Sequence, residues 1–303
     1  MNGLPLVFIE SVLNTQKDLL PFLSFDDSSW CFLAERAIST RRRFDVSIYY
    51  NSLSKLWKHS IKLEQHGGHF LPVSLDDALA MRGRVRIKNL SFVPVDLQSP
   101  EEARIPTDEV LTFLLTLLQV GPHIEELNLS FLCALNELEA GVFFDLFQDR
   151  FSVSALRIPY FPRSIQFLSK QMAHGLLDLL VLCGNNWPRS TEELLIDVVL
   201  NSDLKHLAIQ AHTGLCFQEK ILGRLIDRLS ECERMRKVVA YFETTREFLD
   251  RFDPEDRVRT GAGSVLWQEW RWKKEGERTV QVETSSLNVH NTPTHLELCC
   301  FNL

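Results

Sequence analysis

The amino-acid sequence predicts an α/β fold: an irregular solenoid, with a parallel sheet and helices on one side of it, preceded by a small all-helical module. Three observations predict it. A six-residue pattern, apolar-x-x-apolar-x-apolar, keeps returning along the chain. Helical stripes fill the intervals between its copies. The first 40 residues have a different texture, with short amphipathic stretches broken by tight turns.

Residues 1–40 read as the helical module. Pro5 suits the first turn of a helix, where no N–H donor is needed. Ile9, Val12 and Leu13 then share one helical face. Trp30, Leu33 and Ala34 close the unit. A piece this small buries its own apolar surface poorly and must rest on something else. Residues 41–80 read as a connecting segment.

Residues 81–252 carry the repeats. The pattern appears as Ile87, Leu90, Phe92; Ile124, Leu127, Leu129; Val153, Leu156, Ile158; Leu177, Leu180, Leu182; and Leu204, Leu207, Ile209. A weaker copy is Met235, Val238, Ala240, and a last one is Pro293, Leu296, Leu298. The first six copies are spaced by 24 to 37 residues, the length of one strand and one returning helix. Helices are predicted over 108–120, 139–150, 164–174, 190–200 and 218–232, each with an apolar stripe at helical spacing. Ser190 and Glu193 have capping-box spacing. Alternating strands and helices imply a parallel sheet. Residues 253–303 change rhythm. Val265 to Lys273 alternates in strand fashion, Lys274 to Glu277 reads as a hairpin turn, and Thr279 to Val282 returns. The hairpin would cap the array and cover its last edge.

The net charge of −7 argues against broad phosphate-backbone binding, so no nucleic-acid partner is expected. No apolar stretch reaches the roughly 20 residues a membrane span needs, and the start lacks a signal-peptide pattern. The seven cysteines follow no disulfide or zinc spacing, which reads as reduced thiols in a cytoplasmic or nuclear protein.

The repeated spacing resembles the leucine-rich repeat family in long, irregular form, without that family's Asn position. The N-terminal run resembles a divergent F-box. The matching residues are Leu4-Pro5, the apolar pair Val12-Leu13, Asp18-Leu19 opening a second helix, and Trp30 in a third. The layout is similar to the divergent F-box families of nematodes. It departs from the F-box pattern in the apolar Leu6 to Phe8 and in Asp26-Asp27-Ser28-Ser29, where basic residues are usual. The resemblance implies a substrate-recognition subunit of a cullin-based ubiquitin ligase. It would dock on a Skp-type adaptor through Leu4, Pro5, Ile9, Val12, Leu13 and Leu19.

Alternation along the repeated strands turns the residues between the core positions to the opposite sheet face. Asn128, Arg157, Leu179, Val181, His206, Gln210 and Tyr241 are the candidates there for holding a protein substrate. That face is more apolar than a solvated one needs to be, which marks a binding site. The second reading is a non-catalytic repeat scaffold without a ubiquitin-ligase role. The third is an enzyme on a doubly wound sheet, for which no G-x-G-x-x-G or P-loop motif exists. His66-Gly67-Gly68-His69 offers two imidazoles but no further zinc-ligand spacing, and no G-x-S-x-G elbow accompanies it. No catalytic residue, metal or cofactor is therefore expected, and the chain is read as monomeric on its own.

Overall fold

A computed structural model describes residues 9, 12–13, 28–40, 42–51, 56–65, 69–81, 85–95, 108–118, 123–134, 137–148, 151–210, 213–231, 236–243, 256–260, 266–274, 278–286 and 294–302. The chain folds as two compact units, Met1–Ser154 and Ala155–Leu303.

The first unit begins with Ile9, Val12 and Leu13 in helical conformation and helix α1 (Ser28–Thr40). Strand β1 (Arg42–Asn51) follows after one residue. Next come β2 (Leu56–Glu64), β3 (Phe70–Val73), α2 (Leu75–Ala80), β4 (Val85–Val95), α3 (Asp108–Leu118), β5 (His123–Asn128) and α4 (Glu137–Phe147). The strands lie in the order β3-β2-β1-β4-β5. β1, β4 and β5 run parallel, while β1-β2-β3 is an antiparallel meander. Alternation explains the faces. Phe44, Val46 and Ile48 of β1 are at most 1 % exposed, and the residues between them are half-buried.

Register aligns Phe44 with Ile87 and Ile87 with Ile124, then Val46 with Leu90 and Leu90 with Leu127. Between Phe44 and Asp45 the β1–β4 register shifts, and Lys88 is the extra residue. That bulge lets Ile87, Leu90 and Phe92 all face inward although their spacing is three and then two. The Lys88 ammonium reaches Glu64 Oε1 at 2.9 Å and lies 5.6 Å over the Phe70 ring. An aromatic cluster fills the core behind β4. Phe92 stacks on Phe131 (centroids 4.6 Å apart) and meets Phe143 edge-on at 5.0 Å, and Phe147 continues to Phe151 at 5.2 Å. Each such pair adds about 0.5–1.5 kcal/mol beyond simple burial.

The second unit contains α5 (Ser164–Ala173), α6 (Ser190–Asn201) and α7 (Glu219–Glu231). Its strands are β6 (Ser152–Pro159, which starts at the unit boundary), β7 (Leu179–Cys183), β8 (His206–Ile209), β9 (Phe217–Gln218), β10 (Arg236–Glu243), β11 (Asp256–Thr260), β12 (Leu266–Lys274), β13 (Arg278–Ser286) and β14 (Thr294–Asn302). The order is β6-β7-β8-β10-β14-β13-β12-β11, with β9 beside β10. β6, β7, β8 and β10 are parallel, and Leu156, Leu180, Leu207 and Val238 occupy one register row, each at most 2 % exposed. From β14 to β11 every pairing is antiparallel.

These topologies correct the predicted fold class. A leucine-rich-repeat-like solenoid with a parallel sheet behind a separate all-helical module is overturned by the strand order within each unit, where parallel strands continue into antiparallel ones. β14, which carries the last copy of the pattern, runs antiparallel to β10. The hydrophobic period is the same for both strand directions, so the pattern could not reveal the difference. Nor do the described residues of 1–40 form a free-standing module, because α1 passes directly into β1 of the sheet. The predicted capping box of α6 is absent too. Arg189 is the N-cap and makes no side-chain cap hydrogen bond. In the same first turn Glu192 Oε1 accepts from the Cys216 amide at 3.3 Å.

Candidate partner-binding face

Strands β6, β7, β8 and β10 place two rows of side chains on the sheet face opposite the Leu156 row. Ala155, Leu179, His206 and Lys237 are register partners in the first row. Arg157, Val181, Ala208 and Val239 are partners in the second. All are half-buried except Val181, which is 8 % exposed. A sheet left to water carries polar residues on its outer face. This one carries five apolar residues, with Arg157 at one side and His206 and Lys237 at the other.

Four of the sequence candidates meet here. Arg157 pairs directly with Val181, and Leu179 with His206. Gln210 lies one residue beyond β8 and is exposed; its amide donates to Leu182 O at 3.0 Å. Asn128 belongs to the first unit, and its Oδ1 accepts from the Ser130 amide (3.0 Å) and hydroxyl (2.7 Å). Tyr241 is in β10, and its side chain lies outside the described residues. Ala155, Ala208, Lys237 and Val239 complete the rows. Their signal in the sequence was their position beside the repeated apolar residues.

At the carboxyl ends of β7 and β8 the chain is tied down. Gly184 and Asn186 take left-handed φ values of 75° and 63°. The turn seats Trp187, which is 4 % exposed; its Nε1 donates to Cys183 O at 2.8 Å and its amide to Thr213 O at 3.0 Å. Nothing in the local sequence marks Trp187 as a buried anchor.

Of the expected adaptor-binding residues, Leu4, Pro5 and Leu19 lie outside the described residues. Ile9 and Leu13 are 2 % and 1 % exposed, packed with Trp30, Leu33 and Ala34, and Val12 rests against this cluster. Ile9 and Leu13 thus hold α1 in place, while Phe32 on α1 is 63 % exposed. His66, Gly67 and Gly68 are outside the described residues, and His69 is exposed. Among the described residues no group of three or more His, Cys, Asp or Glu is placed to hold a metal. Likewise no described helix is long and apolar enough to cross a membrane.

Two polar sites in the first unit have no counterpart in the sequence reading. His123, 4 % exposed, lies between the Ser152 hydroxyl (3.0 Å from Nδ1) and the Ser154 hydroxyl (2.9 Å from Nε2). Asp45 sits in register with Asn89 and Lys62. Burial raises its pKa above the ordinary 3.8; Lys88 and Lys62 oppose that rise and Glu64 adds to it.

No protein-family model and no curated protein matches the chain. Among solved structures it is similar to the MycE methyltransferase of the mycinamycin biosynthetic pathway, in complexes with Mg and SAH and with Mg, SAH and mycinamycin VI. The alignments cover 97 % of this chain and 92 % of that one at 10 % identity, with TM-scores of 0.22 and 0.21. A likeness at that level carries no argument about fold or chemistry.

Proposed function

We propose that this chain is a protein-binding receptor that holds its partner on the β6-β7-β8-β10 face. The observation that carries this reading is the pair of register rows there, five apolar residues flanked by Arg157, His206 and Lys237. Surface of that composition gains from being covered by another protein. The finer form of the proposal is the substrate-recognition subunit of a cullin-based ubiquitin ligase in the cytoplasm or nucleus, with the N-terminal residues holding a Skp-type adaptor. The exposed Phe32 on α1 favours an N-terminal contact with another protein.

Two experiments test the two levels. A photo-crosslinking residue at position 179 or 208 should give discrete protein adducts in cells, while one at exposed His174 should not. Arg157→Glu should remove those adducts. Equal labelling at all three positions would sink the receptor reading. For the finer level, the purified chain is mixed with the adaptor. Co-elution that is lost in a Leu4→Ala, Pro5→Ala double variant and weakened in Phe32→Ser supports it. Failure of the unaltered chain to co-elute removes the ligase role and leaves the scaffold reading.

A further inference from the structure

Strand β3 stands at the end of its strand order, with β2 on one side and no described strand on the other. The register decides which of its backbone groups point outward. The Gln65 amide donates to His69 O at 2.8 Å, and Glu64–Phe70 is the next pair along. Hydrogen-bonded and non-bonded pairs alternate in an antiparallel ladder. The pairs Leu63–Leu71 and Ile61–Val73 are therefore bonded, while Phe70 and Pro72 turn their backbone groups away from β2. Pro72 agrees with this phase, because a proline belongs where its missing N–H would face off the sheet. The rim thus offers one donor, the Phe70 amide, and two acceptors, the carbonyls of Phe70 and Pro72.

The side chains at this rim are exposed as well. Phe70 is 39 % and Leu71 47 % exposed, so two of the three exposed large apolar side chains among the described residues are adjacent here. Leu71 ends a row that runs inward through Leu63 to Phe44 and Ile87, both 0 % exposed. The core face of the sheet therefore reaches its rim uncovered. Phe70 and Pro72 stand on the opposite face, beside Glu64 and Lys62. Glu64 is matched by Lys88 at 2.9 Å. Lys62 is exposed, with Asp45 as its register partner on the inner side. Its ammonium has three donors and can serve a second carboxylate at the rim.

We propose that β3 is extended by a segment of a partner protein, added as a further strand, whose residues alternate between acidic and apolar. An apolar residue of the segment lies beside Leu71 and prolongs the core row. The acidic residues fall on the other face, toward Lys62. Backbone bonds to Phe70 and Pro72 hold the strand, and the alternating side chains select it. Charge favours a partner over a second copy, since two β3 strands would bring one lysine-bearing rim against another. The site belongs to the first unit, and it stands or falls independently of the face proposed above.

The test uses the full-length chain with labelled leucine methyls and backbone amides and follows Leu71 and Phe70. The probe is a capped hexapeptide alternating glutamate and valine. Its controls are a lysine–valine counterpart and two forms N-methylated at one alternating set of amides or the other. Saturable shifts are expected with the acidic peptide, and several-fold weaker binding with the lysine peptide. One N-methylated form should lose binding and the other keep it, since only alternate amides face the rim. Pro72→Thr, at an exposed position, restores the missing donor and should tighten binding about threefold or more. Lys62→Glu should weaken it by a similar factor. No saturable shift, equal binding of both N-methylated forms, or binding unchanged by Pro72→Thr would overturn the proposal. Equal binding of the lysine peptide would do the same. A mass that doubles with concentration and falls back in Phe70→Asp would assign the rim to a second copy and also overturn it.

Discussion

Asp45 shows how a single carboxyl group records its surroundings. Burial raises its folded-state pKa above 3.8, so the folded chain holds this proton more tightly than the unfolded chain. The stability it contributes is therefore complete below 3.8 and is lost as pH rises through the raised value. Asp45→Asn should be more stable than the unaltered chain at pH 7, and the gap in denaturant midpoint should close as pH falls toward 4. A gap that stays constant with pH would contradict this. His59 has the opposite sign. Its ring stacks on Phe113 with centroids 3.7 Å apart, and burial lowers its pKa below 6.5. Its contribution is present above 6.5 and lost as pH falls through the lowered value. In His59→Phe, which keeps the stack, stability measured by urea melts should fall less between pH 7 and pH 5 than in the unaltered chain.

The burial of neither group was visible in the sequence. Asp45 lay in a stretch read as a connection, and its partners Asn89 and Lys62 come from two other strands. His59 depends on Phe113, more than fifty positions away. Long-range neighbours of this kind leave no local signal.

At the scale of elements the chain was far more legible. Helices expected over 108–120, 164–174 and 190–200 appear as Asp108–Leu118, Ser164–Ala173 and Ser190–Asn201. The expected C-terminal hairpin appears as β12 and β13. Apolar spacing and the glycine stops carry this information locally. Gly175 ends α5 with φ of 67°, and its amide donates to Met172 O at 2.9 Å. An added Cβ there meets nothing within 4 Å, so Gly175→Ala pays only the conformational penalty. A loss of about 1–2 kcal/mol is expected in chemical denaturation. Phe143→Ala removes a fully buried ring from the aromatic cluster behind β4 and should cost about 3–5 kcal/mol. In both cases a change under 0.3 kcal/mol would contradict the described packing.

At the scale of the whole molecule, strand direction was the part the sequence hid. The repeated pattern located parallel strands in adjacent register but also claimed β14, which is antiparallel, and it passed over β1, β2 and β3. Direction is decided by connections, and the informative ones lie in loops without a distinctive composition. The sheet-face candidates Arg157, Leu179, Val181 and His206 were legible because alternation alone places them. The topology sets an order for hydrogen exchange. Amides of β7 and β8, each paired on both sides, should exchange slowest, and those of β3 and β11, each at the end of its strand order, fastest. Equal protection of β3 and β7 would contradict the strand order.

The bulge at Lys88 also governs what the strand tolerates. A pleat has two phases, and the extra residue moves β4 from one to the other midway. Deleting Lys88 would turn the remainder of the strand inside out, sending Leu90 and Phe92 toward water and Asn89 and Ser91 into the aromatic cluster. Replacing Lys88 with another residue would cost the part-buried pair with Glu64, the contact with the Phe70 ring and the attraction for Asp45, and would leave the pleat as it is. Here the number of residues matters more than their identity.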